Sequence, residues 1–324
     1  MRGWGSLAVL AGGLAACLAS DDTGPGDGGT KGDSPVGAVS VSVTAPASGA
    51  QVARNDLAVD GSWVARVTYA AQVLPPAAQV DWMAAGVIRG TGLPPDYAYT
   101  ATYTGDGAQT LSAVVHGPGG AGKDLGHADV TVTILPSTAE ARDCHGKLDA
   151  LALSYEVGPD TLGIEDPVTV RLPLGGVAFT TRASMVMDCV TALAFYRMAL
   201  VLAAHDVVAV TDGGSGLYNY RCVSGSESPP CTGSGFSLHA FGEAYDIAQV
   251  KMSDGVIASF GTDWVVDAGP TCNALSASTP NQTLHDIVCD LSQNRVFNVL
   301  LTPNFQATQD YVHMDLTADQ MVVE

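Results

Sequence analysis

The chain has 324 residues, and 14 Lys and Arg residues against 33 Asp and Glu residues give it a net charge of −19. This charge argues against nucleic acid and against an electrostatic grip on anionic lipid, because both require clustered cations. Hydrophobic residues make up 47% of the chain, enough for packed cores, and the composition excludes collagen, coiled coil and a polytopic membrane protein.

The first residues have the pattern of an export signal. Residues 1–16 contain one early cation, an apolar run and small residues directly before Cys17. Such a segment is typical of a secretory signal and is too short for a permanent membrane span. The sequence LAAC at residues 14–17 resembles the bacterial lipobox, in which the Cys is diacylated; ordinary signal cleavage beside an incidental Cys is the alternative. The lipobox predicts a protein anchored through Cys17 in the bacterial cell envelope, at the outer membrane or the periplasmic face.

Two further segments precede the cysteine-rich half. Residues 17–37 are rich in Gly, Asp, Pro, Ser and Thr, which predicts a flexible tether. Residues 38–137 contain about seven short strand-like runs with turn signals between them, which predicts a β-sandwich. This region resembles the immunoglobulin-like domains of secreted bacterial proteins. After an alternating run from Val39, the predicted strands are residues 64–69, 79–82, 97–103, 110–116 and 130–135.

The second domain, residues 138–324, mixes helices and strands. We expect an α+β domain with a mostly antiparallel sheet. The predicted elements are a core helix at residues 189–204, strands at 207–211 and 244–250, a hairpin turn at 253–255 with a return strand from Val256, a helix at 284–301 and a final strand at 312–316.

Six cysteines lie in this second domain. An even number in an exported protein predicts three disulfides. Sequence alone does not fix their pairing, but chain proximity favours Cys222–Cys231 and Cys272–Cys289, which leaves Cys144–Cys189. A zinc ribbon is the alternative, although no two cysteines have the C-x-x-C spacing.

Two segments carry candidate metal ligands. Residues 237–247, SLHAFGEAYDI, fit the pattern S-x-H-x-x-G-x-A-x-D-I, and DYVHMD occupies residues 310–315. Three protein ligands with a fourth position left to water form a catalytic zinc site, whereas a structural site is closed by a fourth ligand. His239, Asp246 and His313 are therefore predicted to bind one Zn²⁺ per chain. The alternative is a pair of core histidines with Asp246 as a strand-end cap.

These segments resemble the zinc D-alanyl-D-alanine peptidase family and, within it, the bacterial extensin-like C-terminal domain. The resemblance covers about residues 140–318 and includes the Arg-containing segment at 218–222 and LLTPNF at 300–305. It implies that Asp310 acts as the general base where the peptidases have Glu, that Arg221 polarises the scissile carbonyl and that Ser237 contacts the substrate. Tyr311 and Val312 stand where the relatives have His and Phe.

The resemblance implies an envelope-anchored zinc peptidase that hydrolyses peptidoglycan stem peptides, as a carboxypeptidase or an endopeptidase. Its expected partner is peptidoglycan or another cell-wall polymer. Nucleotide is not expected, because the glycine-rich run at 212–216 lacks the Lys of a phosphate loop and is predicted to be a turn. Two other classes stay open: a non-catalytic wall-binding module that retains the metal site, and a zinc hydrolase of an ester or amide in a capsule polymer. Alternation along a strand places Asp315 on the same face as His313, where it would support this ligand.

Overall fold

The computed structural model describes most of the chain from Val39 onward. The described residues are 39–117, 124–179, 183–223, 229–231, 235–266, 272, 279–306, 308–318 and 322–323. The predicted signal peptide, the predicted lipid attachment at Cys17 and the tether therefore lie outside the described residues. Among the helices of the described residues, none has both the length and the apolar character needed to cross a membrane.

The N-terminal part is built from strands alone. Its strands are β1 (Ser40–Ala45), β2 (Gln51–Ala53), β3 (Asp56–Leu57), β4 (Trp63–Leu74), β5 (Val80–Ala84), β6 (Val87–Gly92), β7 (Tyr99–Tyr103), β8 (Gly107–His116) and β9 (Asp124–Leu135). One sheet has the order β1-β4-β3 with β7 also on β4, and the other has the order β2-β9-β8-β5-β6. Buried side chains from both sheets, including those of Tyr69 and Trp82, form one core. The expected β-sandwich is therefore present.

Strand β6 is not among the predicted strands. It contains two glycines, Gly90 and Gly92. A Cβ on Gly90 would lie 2.2 Å from the ring of Tyr99, and one on Gly92 would lie 2.1 Å from the carbonyl oxygen of Tyr97. Glycine is required at both positions because another part of the chain approaches the strand closely. In sequence, such strand glycines look the same as the glycines of a turn.

The C-terminal part combines three described helices with two sheets. The helices are α1 (Cys144–Ala150), α2 (Cys189–Ala204) and α3 (Thr279–Gln293), with a short 3-10 helix at Leu238–Phe241. The strands are β10 (Tyr155–Val157), β11 (Pro167–Arg171), β12 (Ala178–Phe179), β13 (Ser184–Asp188), β14 (Val207–Asp212), β15 (Ala244–Met252), β16 (Ile257–Ser259), β17 (Val299–Leu301), β18 (Val312–Asp315) and β19 (Val322–Val323). The small sheet is β10-β11-β13 and the large one is β12-β14-β15-β18-β17-β19, with β16 on β15. Most pairs are antiparallel, as expected.

Helix α2 begins and ends where the sequence predicted. Asp188 caps it by accepting a hydrogen bond from the backbone N–H of Val190 at 2.9 Å. Its buried residues lie on several faces, and Phe195 contacts the rings of Phe179, Tyr245 and Phe297. A helix surrounded by protein can be apolar on nearly every face, which accounts for the long apolar run.

The helix predicted at residues 284–301 is wrong in its second half. Helix α3 ends at Gln293, Arg295 has a positive φ of 51°, and the chain then forms strand β17. A short apolar run such as residues 296–301 fits a buried strand as well as a helix, and pairing with β18 decides between them. Strand β18 is also not the final strand, because β19 follows it.

Three disulfides join the six described cysteines in the pairing that chain proximity favoured. They are Cys144–Cys189, Cys222–Cys231 and Cys272–Cys289. The first joins the beginnings of α1 and α2, and the last holds α3 to the segment before it.

Arg197 interrupts the apolar run of α2 and joins the two parts of the fold. Its Nε donates a hydrogen bond to the carbonyl oxygen of Val59 at 2.8 Å, and its Nη2 donates to that of Arg295 at 3.1 Å. Close by, Leu57 and Trp63 of the sandwich pack against side chains that include Tyr196 of α2. The sandwich and the C-terminal part are therefore in direct contact.

Candidate metal centre

Two neighbouring strands bring Asp246 and His313 together. Asp246 of β15 lies opposite His313 of β18 in the antiparallel register. Directly opposed residues project on the same face of a sheet, so their side chains meet. The Nδ1 atom of His313 lies 2.8 Å from Oδ1 of Asp246.

His239 approaches the same carboxylate from the 3-10 helix that precedes β15. Its Nε2 lies 3.3 Å from Oδ2 of Asp246, and both side chains are almost completely buried. Its Nδ1 lies 2.8 Å from the carbonyl oxygen of Leu217. A carbonyl oxygen only accepts, so Nδ1 donates to Leu217 and Nε2 is the ring atom that faces Asp246. Either a proton on Nε2 or a bound cation bridges this nitrogen and the carboxylate.

The ligand atoms of His239, Asp246 and His313 all lie within 4.8 Å of one another. Two imidazole nitrogens and a carboxylate oxygen are a donor set that suits zinc, so the residues present fit the predicted ion. In the part of the chain that the structure describes, a second group of similar spacing contains His145, Asp166 and Cys189. Cys189 offers no thiolate there, because its sulfur is bonded to Cys144.

The electrostatics of the cluster favour a bound cation. Burial alone would raise the pKa of Asp246, but the hydrogen bonds with His239 and His313 outweigh burial and hold this pKa at about 2. Burial would likewise lower the pKa of His313, yet the hydrogen bonds with Asp246 and Asp315 raise it to about 9. The two carboxylates thus stabilise positive charge at this point.

Asp315 supports His313 from the other side of the ring. Its Oδ2 lies 3.0 Å from Nε2 of His313, and its Oδ1 accepts a hydrogen bond from the backbone N–H of Thr317 at 2.8 Å. The position of Asp315 on the same face as His313 agrees with the expectation from strand alternation. A carboxylate that holds the distal nitrogen of a histidine fixes the orientation and the tautomer of the ring.

The glycine-rich run at residues 212–216 forms a turn, as predicted, but it also holds the central carboxylate. The backbone N–H of Ser215 donates to Oδ2 of Asp246 at 2.7 Å. A Cβ on Gly214 would lie only 2.4 Å from that oxygen, and its φ of +42° also favours glycine. The sequence analysis assigned this run no role in the site. The feature that could have indicated one is a pair of glycines at the end of β14, the neighbour of the ligand-bearing strand β15.

The other predicted site residues surround this cluster at different depths. Ser237 is the N-cap of the 3-10 helix, where its Oγ accepts a hydrogen bond from the backbone N–H of His239. The backbone carbonyl of Arg221 accepts from the backbone N–H of Ser237 at 3.1 Å. Nε of Arg221 is buried and has no hydrogen-bond partner among the described residues. Asp310 is exposed and lies beside Gly261.

The phenol of Tyr311 is influenced by the charges of Asp310, Arg221 and the ligand candidate Asp246. Burial and the negative charges of Asp246 and Asp310 raise the pKa of the Tyr311 phenol, whereas the charge of Arg221 acts in the opposite direction. The charges of all three residues therefore act on the phenol.

Comparison with known proteins identifies the C-terminal part. The family model described as "Extensin-like protein C-terminus" matches residues 142–323. A search of the curated proteins found no match. Among solved structures, a chain from "Structures of Clostridium thermocellum CbhA fibronectin(III)-like modules" is 16% identical, with 30% of this chain and 99% of that chain covered and a TM-score of 0.23. The family model covers more than half of the sequence, so the protein belongs to the extensin-like C-terminal family.

Proposed function

We propose that this protein is a zinc-dependent hydrolase, anchored in the bacterial cell envelope, that cleaves peptide bonds in peptidoglycan stem peptides. The convergence of His239, Asp246 and His313 on one point supports the metal site. The substrate class is supported by the resemblance of residues 237–247 and 310–313 to the zinc D-alanyl-D-alanine peptidases. The anchor is supported by the lipobox-like sequence that ends at Cys17.

Zinc held by these three side chains would supply a Lewis acid and would lower the pKa of water toward ~7. Asp315 keeps His313 oriented through its Nε2, and the backbone N–H of Ser215 fixes one oxygen of Asp246. Both contacts hold the ligands in place before substrate arrives, so little reorganisation is needed when it binds.

Asp310 and Arg221 would perform the remaining chemistry. The exposed carboxylate of Asp310 can accept the proton of the attacking water, because an ionised carboxylate is an acceptor at neutral pH. The guanidinium of Arg221 is always charged and can stabilise the negative charge that develops on the scissile carbonyl oxygen. The charges of both residues act on Tyr311, and the ring of Tyr311 lies beside Asp246 at Gly214, which supports their placement in one site.

A second candidate is a wall-binding module that retains the metal without hydrolysing the wall. A cavity of about 590 Å³ in the sandwich favours this alternative. Pro75, Gln79 and His116 line it, together with the buried carboxylate of Asp81, and none of the metal-ligand candidates contributes to it. A polymer-binding surface could therefore exist apart from the metal site.

The experiment that separates these candidates combines metal content with hydrolysis, on the purified full chain. Elemental analysis without added metal should find about one zinc per wild-type chain, and His239→Ala and His313→Ala should lose it while His127→Ala, on the sandwich, retains it. Asp310→Ala should keep zinc but stop the release of peptides from purified peptidoglycan. Absence of zinc from folded wild-type protein, even after zinc addition, would refute the hydrolase. Zinc and wall binding without hydrolysis would favour the binding module, and release of sugars or capsule fragments would indicate a different substrate.

A further inference from the structure

We propose that Tyr311 is a further catalytic residue, whose hydroxyl donates a hydrogen bond to the oxygen of the carbonyl group that is hydrolysed. This inference rests on the proposed hydrolase function. It concerns a residue to which the resemblance assigns no role, since the relatives have His at this position.

The first support is the position of the ring. Tyr311 directly precedes β18, two residues before His313, and its side chain packs over Gly213 and Gly214. A Cβ on Gly214 would lie 2.9 Å from Cζ of Tyr311 and 2.4 Å from Oδ2 of Asp246. The carbon that bears the hydroxyl and the oxygen of the ligand carboxylate are therefore both within 3 Å of one point. Any larger residue at position 214 would separate them.

The second support is the hydrogen bonding of the hydroxyl. Tyr311 is partly buried, and no hydrogen bond of its hydroxyl contributes to its pKa among the described residues. The hydroxyl is not among the fully buried polar atoms without a partner, so it is free to donate to the carbonyl oxygen of a bound substrate. Nε of Arg221, whose charge acts on this phenol, is buried and has no partner among the described residues.

The chemistry requires a donor at this place. When water adds to a peptide carbonyl, the electron pair of the C=O π bond moves to the oxygen, which becomes negatively charged. A neutral phenol can donate a hydrogen bond to that oxygen and keep its proton, so Tyr311 forms no covalent bond. Arg221 supplies the positive charge and Tyr311 supplies a neutral donor. Removal of one such donor commonly lowers kcat by roughly 10²–10³-fold.

Tyr311→Phe tests this role, because it keeps the ring packed over the glycines and removes only the hydroxyl. The measurement uses the full zinc-loaded chain and a soluble stem peptide cut from peptidoglycan. We expect unchanged zinc content and melting temperature, a kcat that falls about 100-fold and a KM within about threefold of wild type. Tyr155→Phe is the matched control, because its hydroxyl donates to Asp149 and lies away from the metal ligands.

A binding measurement gives a readout that does not depend on turnover. Inorganic phosphate is a tetrahedral anion, and isothermal titration should show that Tyr311→Phe binds it about tenfold more weakly than wild type, while Tyr155→Phe binds it equally well. Wild-type kcat and phosphate affinity in Tyr311→Phe would overturn the role of Tyr311 and leave the proposed hydrolase intact. Loss of zinc in Tyr311→Phe would also overturn it, since the hydroxyl would then serve the metal site. Zinc-loaded wild type without hydrolysis would overturn the hydrolase and, with it, the catalytic role.

Discussion

Asp315→Asn should weaken zinc binding without disturbing the strand that carries His313. The substitution keeps the shape of the side chain and keeps an oxygen that can accept from the backbone N–H of Thr317. It removes the negative charge that lies 3.0 Å from Nε2 of His313. Without the charge, the proton on Nε2 is held less firmly and Nδ1 becomes a weaker donor to a metal.

The size of the effect follows from the burial of this pair. The side chain of Asp315 is 10% exposed and that of His313 is 19% exposed, so solvent replaces little of the lost interaction. Loss of a comparable outer partner lowers metal affinity by about 10–100-fold, which corresponds to roughly 1.4–2.8 kcal/mol. The strand itself should persist, because its pairing with β15 and β17 uses backbone atoms.

Competition with a zinc chelator measures this affinity on the full chain, and the chain contains a matched control. His205 donates through Nε2 to Asp290 at 2.7 Å, with the imidazole 22% exposed, but this pair lies outside the candidate metal centre. Asp290→Asn should therefore leave the affinity for zinc unchanged. An affinity within twofold of wild type in Asp315→Asn would refute the reasoning that the carboxylate supports the ligand.

Gly214→Ala should reduce zinc affinity at least tenfold, because the added Cβ would displace Oδ2 of Asp246. Gly86→Ala is the control: its φ is also positive, but a Cβ there would meet nothing within 4 Å, so zinc affinity should not change. Equal losses of affinity in the two variants, measured by chelator competition, would contradict this prediction. The raised pKa of His313 predicts that the free energy of unfolding of the metal-free protein, measured in EDTA, depends on pH. The protonated imidazole contributes fully to this stability below pH 6.5, and the contribution is lost as the pH rises through about 9. Zinc affinity should rise over the same interval, because zinc must displace that proton, and a zinc affinity independent of pH between 6.5 and 9 would contradict the assignment. Arg197→Met should lower the free energy of unfolding, measured in urea, by ~2–3 kcal/mol, because carbonyl groups such as that of Val59 lose a charged donor. A loss below ~0.5 kcal/mol would show that this contact is dispensable.

The parts of the fold that could be predicted are those with local signals. Helix α2 was located by a long apolar run with one charged residue in it, and the cysteine pairs followed from chain proximity. The candidate ligands followed from the composition of two short segments. Strand β17 could not be distinguished from the end of a helix, because its conformation is decided by pairing with β18, which follows later in the chain.

Contacts between distant residues explain what the sequence did not provide. Ser215 reaches Asp246, 31 residues further along, through a backbone N–H, and every residue type except proline has one. Gly214 is required by a carboxylate that only the folded chain brings near it. In the sequence, Arg197 only interrupts an apolar helix. Its hydrogen-bond acceptor, the carbonyl oxygen of Val59, lies 138 residues earlier and becomes apparent only in the structure.

The contact made by Arg197 has a consequence for how such a protein can evolve. A guanidinium from the C-terminal part reaches into a loop of the sandwich, and Trp63 and Tyr196 belong to one small apolar cluster. Replacing the sandwich by an unrelated module would leave a partly buried cation with fewer acceptors and would expose aromatic surface on α2. The two parts must therefore change together, and recombination that swaps one of them would be selected against unless the new module offered a carbonyl at the same place.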